Sequence, residues 1–165
     1  MEDKSLDELY KLGQQCLNLG NPKEAMSYFD RILSIDSCHS QALLKKGNIL
    51  GKLGRYRDAV LIYDKALAIE PDNVLALLNK GLSLHYLAQY NDAINCYDKA
   101  LQVKPNNAVA LYNKAASLVK QNKINEGLKL LGQVIQLDYS YKAKAKFDID
   151  FYELKTNTLF QRIIL

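Results

Sequence analysis

The 165-residue chain carries 22 basic and 18 acidic side chains, a formal charge of +4, with 48% apolar and 24% charged residues. That composition is long enough to bury a core and short for a two-domain enzyme, and its charge is too small to imply nucleic acid by itself. Cys16, Cys38 and Cys96 are too few and too irregularly spaced for a disulfide framework or a zinc site.

The N-terminal MEDKSLDELYK is acidic and helical in pattern, with neither the basic start nor the apolar run of a secretory signal. No apolar stretch approaches the roughly 18 residues of a membrane span. A soluble, cytoplasmic protein without a membrane association is expected.

Residues Gly54 to Pro71, GRYRDAVLIYDKALAIEP, return 34 residues later as Ala88 to Pro105, AQYNDAINCYDKALQVKP. Such self-similarity marks a repeat protein. The 34-residue frame gives four copies, about 6–39, 40–73, 74–107 and 108–141, with a remainder at 142–165. Each copy reads as two helices. The first carries Leu9, Leu43, Leu77 and Leu111, then a small residue at Gly13, Gly47, Gly81 and Ala115, then Cys16, Leu50, Leu84 and Leu118. Spacings of four and three put these on one helical face. Glycine in mid-helix costs about 1 kcal/mol, so its recurrence predicts a close crossing with the next helix.

The second helix carries Ala25, Ala59, Ala93 and Gly127, then Phe29, Tyr63, Tyr97 and Leu131, then Ile32, Ala66, Ala100 and Val134. Cys16 and Cys96 replace apolar residues of other copies and are expected in the core. Asn21 as cap, Pro22 at the first helical position and Glu24 in the first turn start the second helix of the first copy. Pro71 and Pro105 close the second and third copies, each followed by Asp or Asn before the next helix. Connections this short make neighbouring helices antiparallel.

These residues resemble the tetratricopeptide repeat: Leu and then Gly or Ala, the turn Gly54-Arg55-Tyr56, then Ala, Tyr and Ala, and the closing Pro. The resemblance covers about 136 of the 165 residues. It implies an all-α, right-handed superhelix of helix-turn-helix repeats forming one domain over 1–165. The first copy departs with Ser37 in place of Pro and Ile32 in place of a small residue. The fourth departs with Gln121-Asn122-Lys123-Ile124 in the turn and Gly127, Leu131 and Tyr139 at the Ala, aromatic and Pro places. The outer copies are therefore expected to be looser or displaced. In the remainder, Phe147, Phe151 and Leu154 predict one capping helix on the last repeat. The end, TLFQRIIL, has little polar face, so either the helix runs on and is buried or the natural protein continues.

No Gly-rich phosphate loop, HExxH or nucleophile elbow is present, and the two histidines, His39 and His85, belong to no constellation. No catalytic, cofactor or metal site is expected. The resemblance instead implies that the first helices line a concave surface where peptides or partner helices bind. That places Tyr10, Lys11 and Gln14 of the first copy on the surface, with Asp7 and Asn18 beside them. The second copy contributes Leu44, Lys45, Asn48 and Lys52, and the third Leu75, Leu78, Asn79, Leu82, His85 and Tyr86. The fourth contributes Tyr112, Asn113 and Lys120. The charges are positive except Asp7, and the centre is apolar and aromatic, which suits a partner with apolar anchors and nearby carboxylates.

Members that hold the acidic tail of heat-shock chaperones use a clamp of basic residues and Asn across three repeats. Here Asn48 and Asn79 fit, but Leu44, Val109 and Asn113 stand where cations are required, so that ligand is not expected. Two further readings stand beside a scaffold for another protein. One is self-association, with the apolar C-terminal segment giving a homodimer or an autoinhibited monomer, or shielding Leu75, Leu78 and Leu82. The other is RNA binding by a helical repeat, which the 34-residue period and the modest charge argue against.

Overall fold

A computed structural model describes residues 5–165, so the part of the N-terminal reading that falls on residues 1–4 lies outside the described residues. Eight helices follow in repeat order, two to a copy: α1 (Leu6–Asn18) and α2 (Pro22–Ile35), α3 (Ser40–Lys52) and α4 (Tyr56–Ile69), α5 (Val74–Tyr86) and α6 (Tyr90–Val103), and α7 (Ala108–Lys120) and α8 (Ile124–Leu137). From α3 to α8 every helix starts 34 residues after its counterpart one repeat earlier, so the helical boundaries of the fourth copy keep the period despite its irregular turn. The described residues through Ser83 form one compact unit and Leu84–Leu165 a second.

Local chemistry sets the boundaries. The first helix of each pair is capped by a side chain that accepts from a backbone N–H three residues on, which satisfies one of the four orphan donors of a helix start. Ser5 and Glu8 form a reciprocal box at α1, His39 Nδ1 accepts from Ala42 N at α3, Asn73 Oδ1 from Ala76 N at α5 and Asn107 Oδ1 from Ala110 N at α7. The second helices start without such bonds. Pro22 does occupy the first turn of α2, but the Asn21 side chain makes no cap.

The tight turn inside each pair needs one left-handed residue, which glycine adopts without penalty. Gly20 and Gly54 supply it at φ 77° and 72°, whereas Ala88 and Asn122 adopt φ 57° and 64°. Asparagine tolerates that region, which is why the irregular turn of the fourth copy keeps the shape of the others.

Within the first unit the recurring small residues lie against aromatic rings. A Cβ on Gly13 would stand 2.8 Å from Phe29 Cζ, and one on Gly47 would stand 2.5 Å from Tyr63 Cε1. In the fourth copy the ring is replaced by Leu131 and the glycine by Ala115, a matched exchange of volumes. Leu9, Phe29 and Ile32 are fully buried beside Cys16, as is Tyr63 beside Leu43 and Leu50. Lys46 pairs with Asp30 and Lys80 with Asp64, and in the second unit Lys114 pairs with Asp98.

The second unit buries Tyr112, Leu128, Leu131 and Val134 together with Phe151, Phe160 and Ile164 from the C-terminal remainder. The remainder is not the single helix expected. It is divided into α9 (Ser140–Phe147), a 3-10 helix (Ile149–Leu154) and α10 (Thr158–Ile164). The break falls at Asp148, whose extended backbone ends α9 and whose Oδ1 accepts from Asp150 N at 3.0 Å to start the 3-10 helix. The consequence is a change of facing: Phe151 and Leu154 are buried, but Phe147 is 87% exposed. Burial of Phe160 and Ile164 shows that the apolar end folds back onto its own chain.

Candidate interaction surfaces

In the first unit, α1 and α3 place the predicted residues at equivalent positions. Lys11 and Lys52 are exposed, and Tyr10, Gln14, Leu44 and Lys45 are half-buried. The Tyr10 ring lies edge-on to Phe29 at 5.7 Å and stacks on His39 at 6.0 Å. Asn48 Oδ1 accepts two hydrogen bonds, from the Tyr63 hydroxyl at 2.8 Å and from Asn79 Nδ2 at 2.8 Å. Burial pushes the Tyr63 phenol above its usual range, so it stays a donor. This fixes the Asn48 amide: its carbonyl is used internally, and its two side-chain N–H groups donate to nothing among the described residues. Leu75 is exposed and Leu82 half-buried, whereas Leu78 is buried and belongs to the core.

Among the described residues, Lys11, Lys45 and Lys52 make no ion pair. Lys46, one residue from Lys45, is paired with Asp30, because successive residues on a helix face about 100° apart. A cleft of about 460 Å³ between α2, α3 and α4 also opens in this unit. It is lined by Asp30 and Lys46, and by Arg55 and Asp58, which neutralise each other in pairs.

In the second unit the predicted face is divided. Tyr86 and Lys120 are exposed and Asn113 half-buried, but Tyr112 is 1% and His85 7% exposed, so neither is open surface. The covering group is the chain's own segment around the 3-10 helix. Tyr112 Oη donates to Asp148 Oδ2 at 2.6 Å, and His85 Nε2 lies 3.0 Å from Asp150 Oδ2. His85 Nδ1 lies 2.8 Å from Ser117 Oγ, so the neutral ring satisfies both contacts when its proton is on Nε2. Phe151 meets the Tyr112 ring edge-on at 5.7 Å, and Lys144 Nζ sits 4.2 Å from its centroid. Burial, followed by the hydrogen bond to Asp148, pushes the Tyr112 phenol well above its usual range.

Asp148, Asp150 and Ser117 were not among the expected site residues. The available signal was a pair of carboxylates two residues apart, just before Phe151, in an otherwise lysine-rich segment outside the repeat frame. Among the described residues no group of His, Cys, Asp and Glu is arranged to hold a metal, and no helix is long and apolar enough to cross a membrane.

The repeat geometry agrees with comparison to known proteins. Residues 52–134, half of the chain, match the family described as anaphase-promoting complex, cyclosome, subunit 3, and residues 9–37 match the tetratricopeptide repeat. The chain belongs to the tetratricopeptide-repeat family. Among solved structures it is similar to MamA from Desulfovibrio magneticus RS-1, with 23% identity and a TM-score of 0.81 over 96% of this chain and 93% of that one. It is also similar to YrrB, described as a TPR protein with an unusual peptide-binding site, with 16% identity and a TM-score of 0.78 over 98% of this chain and 84% of that one. At these identities the likeness is one of fold. Comparison with curated protein sequences finds no match.

Proposed function

We propose that the chain is a non-catalytic protein–protein interaction scaffold that binds a peptide or helix of a partner protein on the faces of α1 and α3. The observation that carries this reading is the Asn48 amide, whose carbonyl is held by Tyr63 and Asn79, on the α3 face that also carries Lys45 and Lys52 three and four residues away, with Lys11 at the equivalent position of α1. A preorganised amide offers hydrogen bonds to a peptide backbone, and three unneutralised cations favour acidic residues near its apolar anchors. Neither nucleic acid nor membrane is needed by this reading, and the cytoplasm is the compartment it suits.

The test is selection of peptides from a random library on the full chain, followed by anisotropy titration of the selected peptides. Acidic sequences with apolar anchors are expected. Asn48→Ala and Lys45→Glu are each expected to weaken them about tenfold, one charge-assisted or preorganised hydrogen bond's worth. Unchanged affinity in both variants would refute the site.

The seating of residues 148–164 on their own unit favours a second reading, autoinhibition, over a tail that reaches a second copy. The covered positions, His85 and Tyr112, are the ones that the repeat pattern assigns to ligand contact.

A further inference from the structure

The C-terminal segment does more than a cap requires. Covering the apolar side of α7 and α8 needs only apolar groups, and Phe151, Leu154, Phe160 and Ile164 provide them. Yet the segment also sets two carboxylates, Asp148 and Asp150, on two buried polar groups, Tyr112 and His85. Each carboxylate adds a charge-assisted bond to a buried partner, and together they fix the segment's register, because any other placement leaves those partners unpaired. Conversely, the outer side of the segment is left apolar, with Phe147, Ile149 and Tyr152 87%, 81% and 61% exposed. A segment with two carboxylates inside and three large apolar groups outside has the composition of a bound peptide rather than of a finished surface.

From this we infer that the face formed by His85, Tyr112 and Ser117 is a recognition site for acidic–aromatic peptides of the pattern Asp-x-Asp-aromatic. Residues 148–154 are its built-in occupant, which a partner of the same chemistry displaces. The inference rests on the reading of the chain as a peptide-binding scaffold and names the partner chemistry of its second face. The two carboxylates act at different points: the first accepts from the Tyr112 hydroxyl, the second accepts from His85 Nε2–H, and the aromatic residue that follows lies edge-on to Tyr112. Because the resident segment is tethered, its effective concentration is in the millimolar range, and a free peptide competes only weakly until the tether's own contacts are weakened.

The probe is a fluorescently labelled peptide of residues 146–155, KFDIDFYELK, with a control carrying Asn at both Asp positions. It is titrated by anisotropy against the full chain and against the full chain with Asp148→Asn and Asp150→Asn. The doubly substituted chain is expected to bind the acidic probe at least about tenfold more tightly than the unsubstituted chain, since two charge-assisted bonds no longer hold the competitor. The control peptide should bind it at least about tenfold more weakly than the acidic probe. No gain in affinity, or equal binding of the two peptides, overturns the inference. Segment exchange between copies, seen as a concentration-dependent dimer by light scattering, overturns it too, because the occupant would then be another copy.

Should the double substitution impair folding, hydrogen exchange on the unsubstituted chain decides. Excess acidic probe is expected to speed exchange at the Phe151 and Lys155 amides and not in α8, and no change there overturns the proposal. Failure of peptides selected on the α1 and α3 face would refute the scaffold reading separately, since this probe and the responding amides belong to the second unit alone.

Discussion

Tyr112→Phe removes a single oxygen from the contact that seats the 3-10 helix, and the structure sets the size of the effect. The lost bond is a short one, 2.6 Å, between a hydroxyl donor and a carboxylate in a place where Tyr112 is fully buried. A hydrogen bond to a charged group contributes about 1.5–3 kcal/mol. The ring contacts to Tyr141, Phe151 and Lys144 survive the change, and Asp148 still accepts from Asp150 N. The segment's detached state should therefore rise about ten- to a hundredfold in population. Native-state hydrogen exchange reads this directly at the amides of Phe151 and Lys155, which donate to Asp148 O and Tyr152 O within the segment. Their protection should fall by that factor while amides of α8 keep theirs. Protection within about twofold of the parent, or an equal fall in α8, would refute the idea that Asp148 holds the segment as a separable unit.

Gly47→Ala should lower stability by about 0.5–2 kcal/mol in urea unfolding, because the clash with Tyr63 outweighs alanine's helix preference of about 1 kcal/mol. Adding Tyr63→Leu should recover part of the loss, as Ala115 with Leu131 does naturally, and additive effects would contradict the proposed pairing of volumes. Ala88→Gly should raise stability by about 0.5–1 kcal/mol, since the left-handed backbone at φ 57° costs alanine about 1–2 kcal/mol and glycine's entropy returns some of that. A destabilised variant would show that Ala88 contributes packing that outweighs its strain. Burial keeps the phenols of Tyr63, Tyr97 and Tyr112 neutral in the fold above their ordinary pKa of about 10. Below that pH neither state is ionised and stability is unaffected. Above it the unfolded chain binds fewer protons than the native one, so stability falls by about 1.4 kcal/mol per pH unit for each such phenol. Denaturant midpoints at pH 9 to 12, with tyrosinate absorbance alongside, check this, and a flat profile would refute it.

The repeat was legible because it is written several times. The face of Leu9, Gly13 and Cys16 recurs at 34-residue steps, and each step adds an independent constraint on helix phase and length. The turn of the fourth copy looked irregular only because Asn122 performs glycine's conformational role with a different side chain. The C-terminal segment had no second copy to reveal its phase. Phe147, Phe151 and Leu154 fit one helical face, and only the bond from Asp150 N to Asp148 Oδ1, a local competitor of helix formation, turns Phe147 outward. The burial of Tyr112 and His85 followed from that same break, so it was equally hidden. Surface position in a repeat can be read from periodicity, but occupancy by a non-repeating segment cannot.

The lysines show how one charge type takes two roles within a single helix. Lys46, Lys80 and Lys114 recur at the repeat period and each meets an aspartate of the preceding helix, Asp30, Asp64 or Asp98. Partly exposed pairs of this kind contribute about 0–1 kcal/mol each, so their recurrence serves register more than stability. Lys45 lies one residue from Lys46 and is rotated away from that aspartate, and Lys11 repeats its position 34 residues earlier. With the structural lysines neutralised by their own aspartates, the field on the α1 and α3 face comes from the unpaired ones, and a cationic face attracts and orients acidic ligands. On the second unit the corresponding carboxylates are already supplied by the chain itself, as Asp148 and Asp150. The two faces should differ in the measurement that matters: ligand affinity on α1 and α3 should fall with added salt, while the second unit should respond chiefly to weakening of its own segment.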